Sequence, residues 1–293
     1  MLDIQEILKK VSLIEIKTRK VVNELLAGEY QSSFKGQGME FMDVRPYQPG
    51  DDFRNIDWNV TSRTGSLHVK QYHEEREQTI IFAVDVSGSL RFGTTGRLKS
   101  EVLAEVVALL AFSAVRNQDR VGLMLFSNEV ELFIPPRKGR EHVLRLVREI
   151  IYFTPKGKGT DFDNALAALS HLFPRRATVF LCSDFIELPG RSLGVMARRH
   201  DVTAIAVDDP AEQELPKSGW MEWVDPETGR NGWCDTSNKK LRERFLALRA
   251  RQRQLALQHF RKNGVDLITL STAKDVVRPL VAFFRKRERR RVA

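Results

Sequence analysis

The sequence predicts an α/β fold, a doubly wound and mostly parallel sheet preceded by an N-terminal helix and a turn-rich segment. Three observations carry this expectation. Short, largely apolar runs recur at residues 79–85 (TIIFAVD), 177–184 (ATVFLCSD), 201–208 (DVTAIAVD) and 264–271 (GVDLITLS), as strands covered on both faces require. Stretches with apolar residues three and four apart lie between them. Gly, Pro and Asp punctuate the joins.

Taken in order, residues 2–27 place Ile4, Ile7, Leu8, Val11, Ile14, Val22 and Leu25 at helical spacing, with Gly28 as the stop. Residues 29–70 are rich in Gly, Pro, Asp and aromatics and read as turns with short strands. The first buried strand, 79–85, feeds a helix over 97–115. Residues 121–127 and 129–135 form a hairpin about Asn128. Helices follow at 141–153 and 161–173, the second capped by Asp161 or Thr160. The strand 177–184, a helix at 188–200 and the strand 201–208 continue the alternation. Asp225-Pro226 and Thr228-Gly229 lie between two Trp-bearing runs, which predicts a protruding hairpin near 213–235. A long basic helix at 238–262, the strand 264–271 and a helix at 275–284 complete the chain. The expected division is 1–77, an N-terminal helix and turn-rich segment; 78–285, the α/β domain with its hairpin insertion; and 286–293, a basic tail.

Composition narrows the function classes. The chain of 293 residues is 42% hydrophobic and 29% charged, ordinary for a soluble globular protein. Its longest apolar stretch, 102–115, is interrupted by Glu105 and is too short to span a bilayer, and the N-terminus carries no secretory signal. Cys182 and Cys234 make neither a disulfide framework nor a metal knuckle. A cytoplasmic protein is expected. The net charge of +9 is concentrated in Lys239–Lys262 and in RKRERRR at 285–291. These stretches read as a solvated helix face and a frayed end, or as a footprint for nucleic acid or an anionic membrane. The basic helix has almost no interleaved aromatics and no nucleic-acid motif is present, which makes nucleic acid the weaker reading and leaves the tail a weak membrane contact.

The strand TIIFAVD runs into Asp85, Ser87 and Ser89. Thr160 lies in a glycine-rich loop, KGKGTDF, and Asp184 ends the strand ATVFLCSD. In an open α/β sheet, binding occurs at the carboxyl ends of strands. Three loops from that edge can bring together five oxygen-bearing side chains. A set of hard oxygens without His or Cys suits Mg²⁺ or Mn²⁺ rather than zinc or copper. The same residues can instead cap the following elements without metal. Enzyme readings are weaker. Ser87 lacks the G-x-S-x-G elbow, no base is evident, and KGKGT lacks the Walker pattern. No catalytic residue, nucleotide site or small-molecule substrate is expected.

Asp85-Val86-Ser87-Gly88-Ser89 with Thr160 and Asp184 resembles the metal-ion-dependent adhesion site of von Willebrand factor type A domains. The resemblance implies that Ser87, Ser89 and Thr160 ligate through hydroxyls while Asp85 and Asp184 act largely through bound water. It also implies that an acidic group from another protein completes the shell, with ligation coupled to a shift of the last helix. The pieces Glu40-Phe41, Arg45-Pro46-Tyr47, Pro49-Gly50-Asp51-Asp52, Arg54, Ile56-Asp57-Trp58 and Arg63 look like the signature of the bacterial family called domain of unknown function 58. Proteins of that family are often linked to MoxR-type AAA+ ATPases, so such an ATPase or its client is the implied partner. The charged residues of 45–63 read either as a partner-binding patch or as a salt-bridged plug, with Tyr47 and Trp58 packed beneath it.

Overall fold

The computed structural model describes residues 39–74, 77–157, 159–225 and 227–292. The helix expected at 2–27 lies outside them. The described part begins with an antiparallel pair, β1 (Met39–Pro46) and β2 (His68–Glu74), joined through a short 3₁₀ turn (Phe53–Asn55) and helix α1 (Trp58–Thr64). The acids of this segment are used locally. Asp51 holds Arg45 in a two-pronged ion pair at 2.7 and 2.6 Å. Asp52 accepts from the Arg54 amide, and Asp57 caps α1 through the Asn59 and Val60 amides. Tyr47 stacks on Phe53 at 5.7 Å. Trp58 is not packed beneath the charges as expected. It is the first residue of α1 and is 67% exposed, because the Asp57 cap fixes the helix start with that position facing water.

The α/β domain is built on six strands: β3 (Thr79–Asp85), β4 (Arg120–Phe126), β5 (Val130–Arg137), β6 (Thr178–Ser183), β7 (Asp201–Asp208) and β10 (Asp266–Ser271). Their order across the sheet is β10-β7-β6-β3-β4-β5. All neighbours are parallel except β5, which returns antiparallel from β4 as the sequence hairpin requires. After β3 the chain winds towards β4 on one side, and β6 then pairs on the other. β3 and β6 therefore flank the point where the winding reverses.

Each face of the sheet has its own apolar layer. Helices α2 (Lys99–Arg116), α3 (Arg140–Tyr152) and α8 (Val277–Val292) cover one face, packing on Ile80, Phe82, Val84 and Leu123. Helices α4 (Phe162–Leu172) and α5 (Arg191–Arg199), with the end of α7 (Lys239–Lys262), cover the other through Leu166, Met196 and Phe260. Helix α2 is apolar almost all round and nearly every residue from Val102 to Leu110 is buried, as befits a central helix. Phe82 and Phe180 stack at 5.4 Å across adjacent strands.

Two parts depart from the layers. After the short helix α6 (Pro210–Gln213), β8 (Trp220–Val224) and β9 (Asn231–Asp235) form the expected hairpin, and Trp220 and Trp233 face solvent. Gly232 lies under the Trp223 indole, where an added Cβ would sit 2.8 Å from Nε1. The last helix does not stop near 284. It continues to Val292 because Arg287 pairs with Asp201 and bonds Thr203, and Arg290 pairs with Asp266 at 3.0 Å. The basic run set off as a tail is therefore helical and partly anchored to β7 and β10.

Candidate functional site

The site lies at the carboxyl edge beside the reversal point. Asp85 ends β3 and is 1% exposed; Ser87 and Ser89 follow it into a 3₁₀ turn and are buried as well. The β3–β6 register pairs Val84 with Cys182 and so brings Asp85 alongside Ser183. The Ser183 hydroxyl donates to Asp85 Oδ2 at 2.7 Å, and the Ser87 amide donates to Asp85 Oδ1 at 2.8 Å. Thr160 Oγ1 donates to Asp85 Oδ2 at 3.3 Å. The Ser87 and Ser89 hydroxyls are 3.2 Å apart.

The Thr160 loop is fixed from β5. Glu131 Oε1 accepts from the Lys156 amide at 3.0 Å, the Gly157 amide at 2.8 Å and the Ser127 hydroxyl at 2.7 Å. Gly157 has no room for a side chain, since a Cβ there would stand 1.9 Å from Asn128 Oδ1. Asp161 then caps α4 through the Asn164 amide at 3.0 Å.

Asp184 occupies the third loop, but its partner is one the sequence reading misses. Lys99, the first residue of α2, is completely buried and donates at 2.7 Å to both Asp184 Oδ2 and Glu212 Oε1. Asp184 Oδ1 accepts from the Ile186 amide at 3.3 Å. The acids continue outward: Glu212 Oε2 receives the Asp209 amide, and buried Asp209 accepts from Thr94 and from Thr272. Ser183, Lys99 and Glu212 are thus parts of the site that spacing alone does not reveal.

Burial pushes the Asp85 carboxyl up to about 6; Ser183 and the Ser87 amide oppose the rise, and the Asp184 charge adds to it. A further carboxylate approaches from the β8–β9 turn. Glu227 reaches towards the Ser87 side chain, and its Oε2 lies 3.6 Å from where a Cβ of Gly159 would stand. Burial raises the Glu227 carboxyl, followed by the charges of Asp184, Glu187 and Asp225, while Ser87 favours its charged form.

The structure thus brings Asp85, Ser87, Ser89 and Thr160 together at hydrogen-bonding range. Asp184 sits on the adjoining loop, tied to Lys99. Among the described residues no three His, Cys, Asp or Glu side chains form a metal-holding group; three of the five donors here are hydroxyls. Adjacent ligands of an octahedral Mg²⁺ lie about 3.0 Å apart for bonds of about 2.1 Å. The 3.2 Å Ser87–Ser89 separation is close to such an edge, so these two hydroxyls suit a small hard cation.

Fold and site define a doubly wound α/β domain with a cluster of buried oxygen-bearing side chains at its reversal point. The chain belongs to the family of proteins of unknown function DUF58, whose model matches residues 43–255. It is 32% identical to the uncharacterized protein Rv1480 of Mycobacterium tuberculosis over 282 residues, 94% of this chain and 88% of that one. Among solved structures it is similar to the conserved hypothetical protein BatB from Bacteroides thetaiotaomicron, with a TM-score of 0.46, 13% identity and coverage of 72% of this chain and 99% of that one. It also aligns with the SpRpn10 VWA domain, with a TM-score of 0.40, 11% identity and coverage of 70% and 94%. No helix among the described residues is long and apolar enough to cross a membrane.

Proposed function

We propose that the protein is a cytoplasmic, non-catalytic, metal-dependent protein–protein interaction module, an adaptor or partner of a MoxR-type AAA+ ATPase or of its client. The observation that carries this reading is the convergence of three loops from one sheet edge on Asp85. Ser87, Ser89 and Thr160 would hold Mg²⁺ or Mn²⁺ through hydroxyls, with Asp85 and Asp184 behind them. When bound, the ion supplies an electron-poor position that an acidic side chain of the partner can fill. The protein's own groups prepare the place. Ser183 and the Ser87 amide orient the Asp85 carboxylate, Glu131 fixes the Thr160 loop, and Lys99 holds Asp184. The Ser87 hydroxyl contacts Ser89, not an imidazole, which favours binding over turnover. The link to MoxR-type ATPases rests on the family signature at residues 40–63.

Calorimetric titration of Mg²⁺ and Mn²⁺ into the wild type and Asp85→Ala tests the site. Heat from the wild type alone is the expected result. Capture of a MoxR-type ATPase that EDTA abolishes and moderate salt does not is expected to follow. One observation favours a second reading, a binder of nucleic acid or anionic membrane. Helix α7 buries Phe260 and leaves most of its basic residues exposed, Arg242 and Arg249 being half-buried, along with Leu246, Leu248, Leu255 and Leu257. Binding of that kind would collapse with salt and ignore EDTA.

A further inference from the structure

The β8–β9 hairpin contributes no buried hydrophobic residue to either core layer, yet its tip is built in detail. The Asp225 amide donates to Arg230 O at 2.7 Å and the Gly229 amide to Asp225 O at 2.8 Å. Gly229 adopts φ +70°, which a side chain disfavours. The Asp225 carboxylate accepts from the Glu227 amide at 2.9 Å and from the Thr228 hydroxyl. At the base, buried Thr236 donates its amide and hydroxyl to Gly219 O at 2.8 and 2.7 Å and accepts from the Ser218 amide at 3.0 Å. Arg242 clasps the carbonyls of Thr236 and Ser237. A hairpin with both ends fixed in this way presents Glu227 in one place.

That place adjoins the site. Glu227 Oε2 lies 3.6 Å from where a Cβ of Gly159, beside Thr160, would stand; the Ser87 side chain favours its carboxylate, and the charges of Asp184 and Glu187 oppose it. Lys99 already offsets Asp184 at 2.7 Å, and bringing Glu227 near Asp184, Glu187 and Asp225 still favours the entry of a further opposite charge. The residues placed to hold such a charge are Ser87, Ser89 and Thr160. The outer side of the hairpin leaves Trp220, Val224 and Trp233 in solvent.

We propose that Glu227 is the site's own acidic ligand, standing where a partner's acidic side chain must enter, so that a partner engages the site by displacing the hairpin tip. This inference rests on the metal-binding reading above and adds its regulation. The hairpin acts as an internal competitor, and only a partner whose acid is supported by further contacts, such as packing on the exposed tryptophans, replaces it.

The test titrates Mn²⁺ into the full chain as wild type, Glu227→Gln and Asp85→Ala. It follows affinity by calorimetry and the water-proton relaxation of the bound ion, with acetate as a probe carboxylate. Glu227→Gln is expected to bind Mn²⁺ about tenfold more weakly, because one anionic ligand is lost. It is also expected to show higher relaxation enhancement, since water takes the freed position, and to lose that enhancement on adding acetate. The wild type is expected to ignore acetate at the same concentration, and Asp85→Ala is expected not to bind. Equal affinity and equal enhancement in the wild type and Glu227→Gln would overturn the role of Glu227 while leaving the metal site standing. Absence of Mn²⁺ binding by the wild type, or binding that survives Asp85→Ala, would instead overturn the metal reading and this inference with it. Retained Mn²⁺ binding by Glu227→Gln itself shows that the variant is folded.

Discussion

At the scale of single residues, Asp85 depends on a neighbour the sequence does not flag. Ser183 is 1% exposed and supplies the shortest hydrogen bond to the Asp85 carboxylate. Ser183→Ala is expected to lower Mg²⁺ affinity roughly 10- to 100-fold, as loss of an outer-shell support commonly does. It is also expected to destabilise the fold by about 1–3 kcal/mol, readable by urea unfolding. Buried His200 gives a pH prediction. Its Nδ1 accepts from the Ala177 amide at 3.2 Å. Burial, then the charges of Arg199 and Arg176, hold the imidazole below its ordinary 6.5. The unfolded chain therefore takes up a proton at a pH where the folded chain still refuses it. The stability associated with the neutral ring is full above 6.5 and is lost as pH falls below it. Unfolding free energies of His200→Gln measured from pH 7.5 to 5 are expected to decline less steeply than those of the wild type. His142 is shifted the same way by its own burial and leaves part of the slope in place.

At the scale of elements, most of the layout was legible and the reasons are specific. The run TIIFAVD, the cap at Asp161, the β4–β5 hairpin and the two-Trp hairpin all announce themselves through local pattern, which is what periodicity and turn chemistry report. The spacing Asp85-x-Ser87-x-Ser89 was visible for the same reason. Lys99 was not, because a lysine at a helix start reads as solvated; its burial comes from Asp184 and Glu212, 85 and 113 residues further on. The approach of Glu227 to Ser87 was hidden likewise, since a turn sequence specifies a hairpin and not the direction in which it folds. The end of α8 was misjudged because Arg287 and Arg290 look like free charge until Asp201 and Asp266 are placed beside them. The buried ammonium makes a sharp prediction about how α2, α6 and the β6 loop are joined. Lys99→Met leaves two carboxylates without their cation and is expected to cost about 3–5 kcal/mol in chemical denaturation. A Lys99→Met/Asp184→Asn/Glu212→Gln triple variant is expected to recover much of that loss.

At the scale of the whole molecule, the net charge of +9 is less available than its sequence suggests. Part of the C-terminal run serves the fold. The Arg287 side chain is only 13% exposed and bridges α8 to β7. Arg287→Ala is therefore expected to lower stability by about 1–3 kcal/mol. It is expected to leave the affinity for anionic vesicles, measured by sedimentation, close to that of the wild type. The helix α7 is the larger exposed cationic surface, and it leads directly out of the hairpin that carries Glu227. On the proposed reading, a partner reaching the site would meet tryptophans, a basic helix and the Glu227 carboxylate.

The strand β5 has a consequence of its own. It lies at the margin of the sheet, runs VELFIPPR, and ends in Pro135 and Pro136 before Arg137. Proline has no amide hydrogen to donate, so Pro135 and Pro136 can offer an arriving strand only their carbonyls, and the charge that follows resists apolar stacking. On that side the strand is a poorer template for edge-to-edge pairing between crowded copies of the protein.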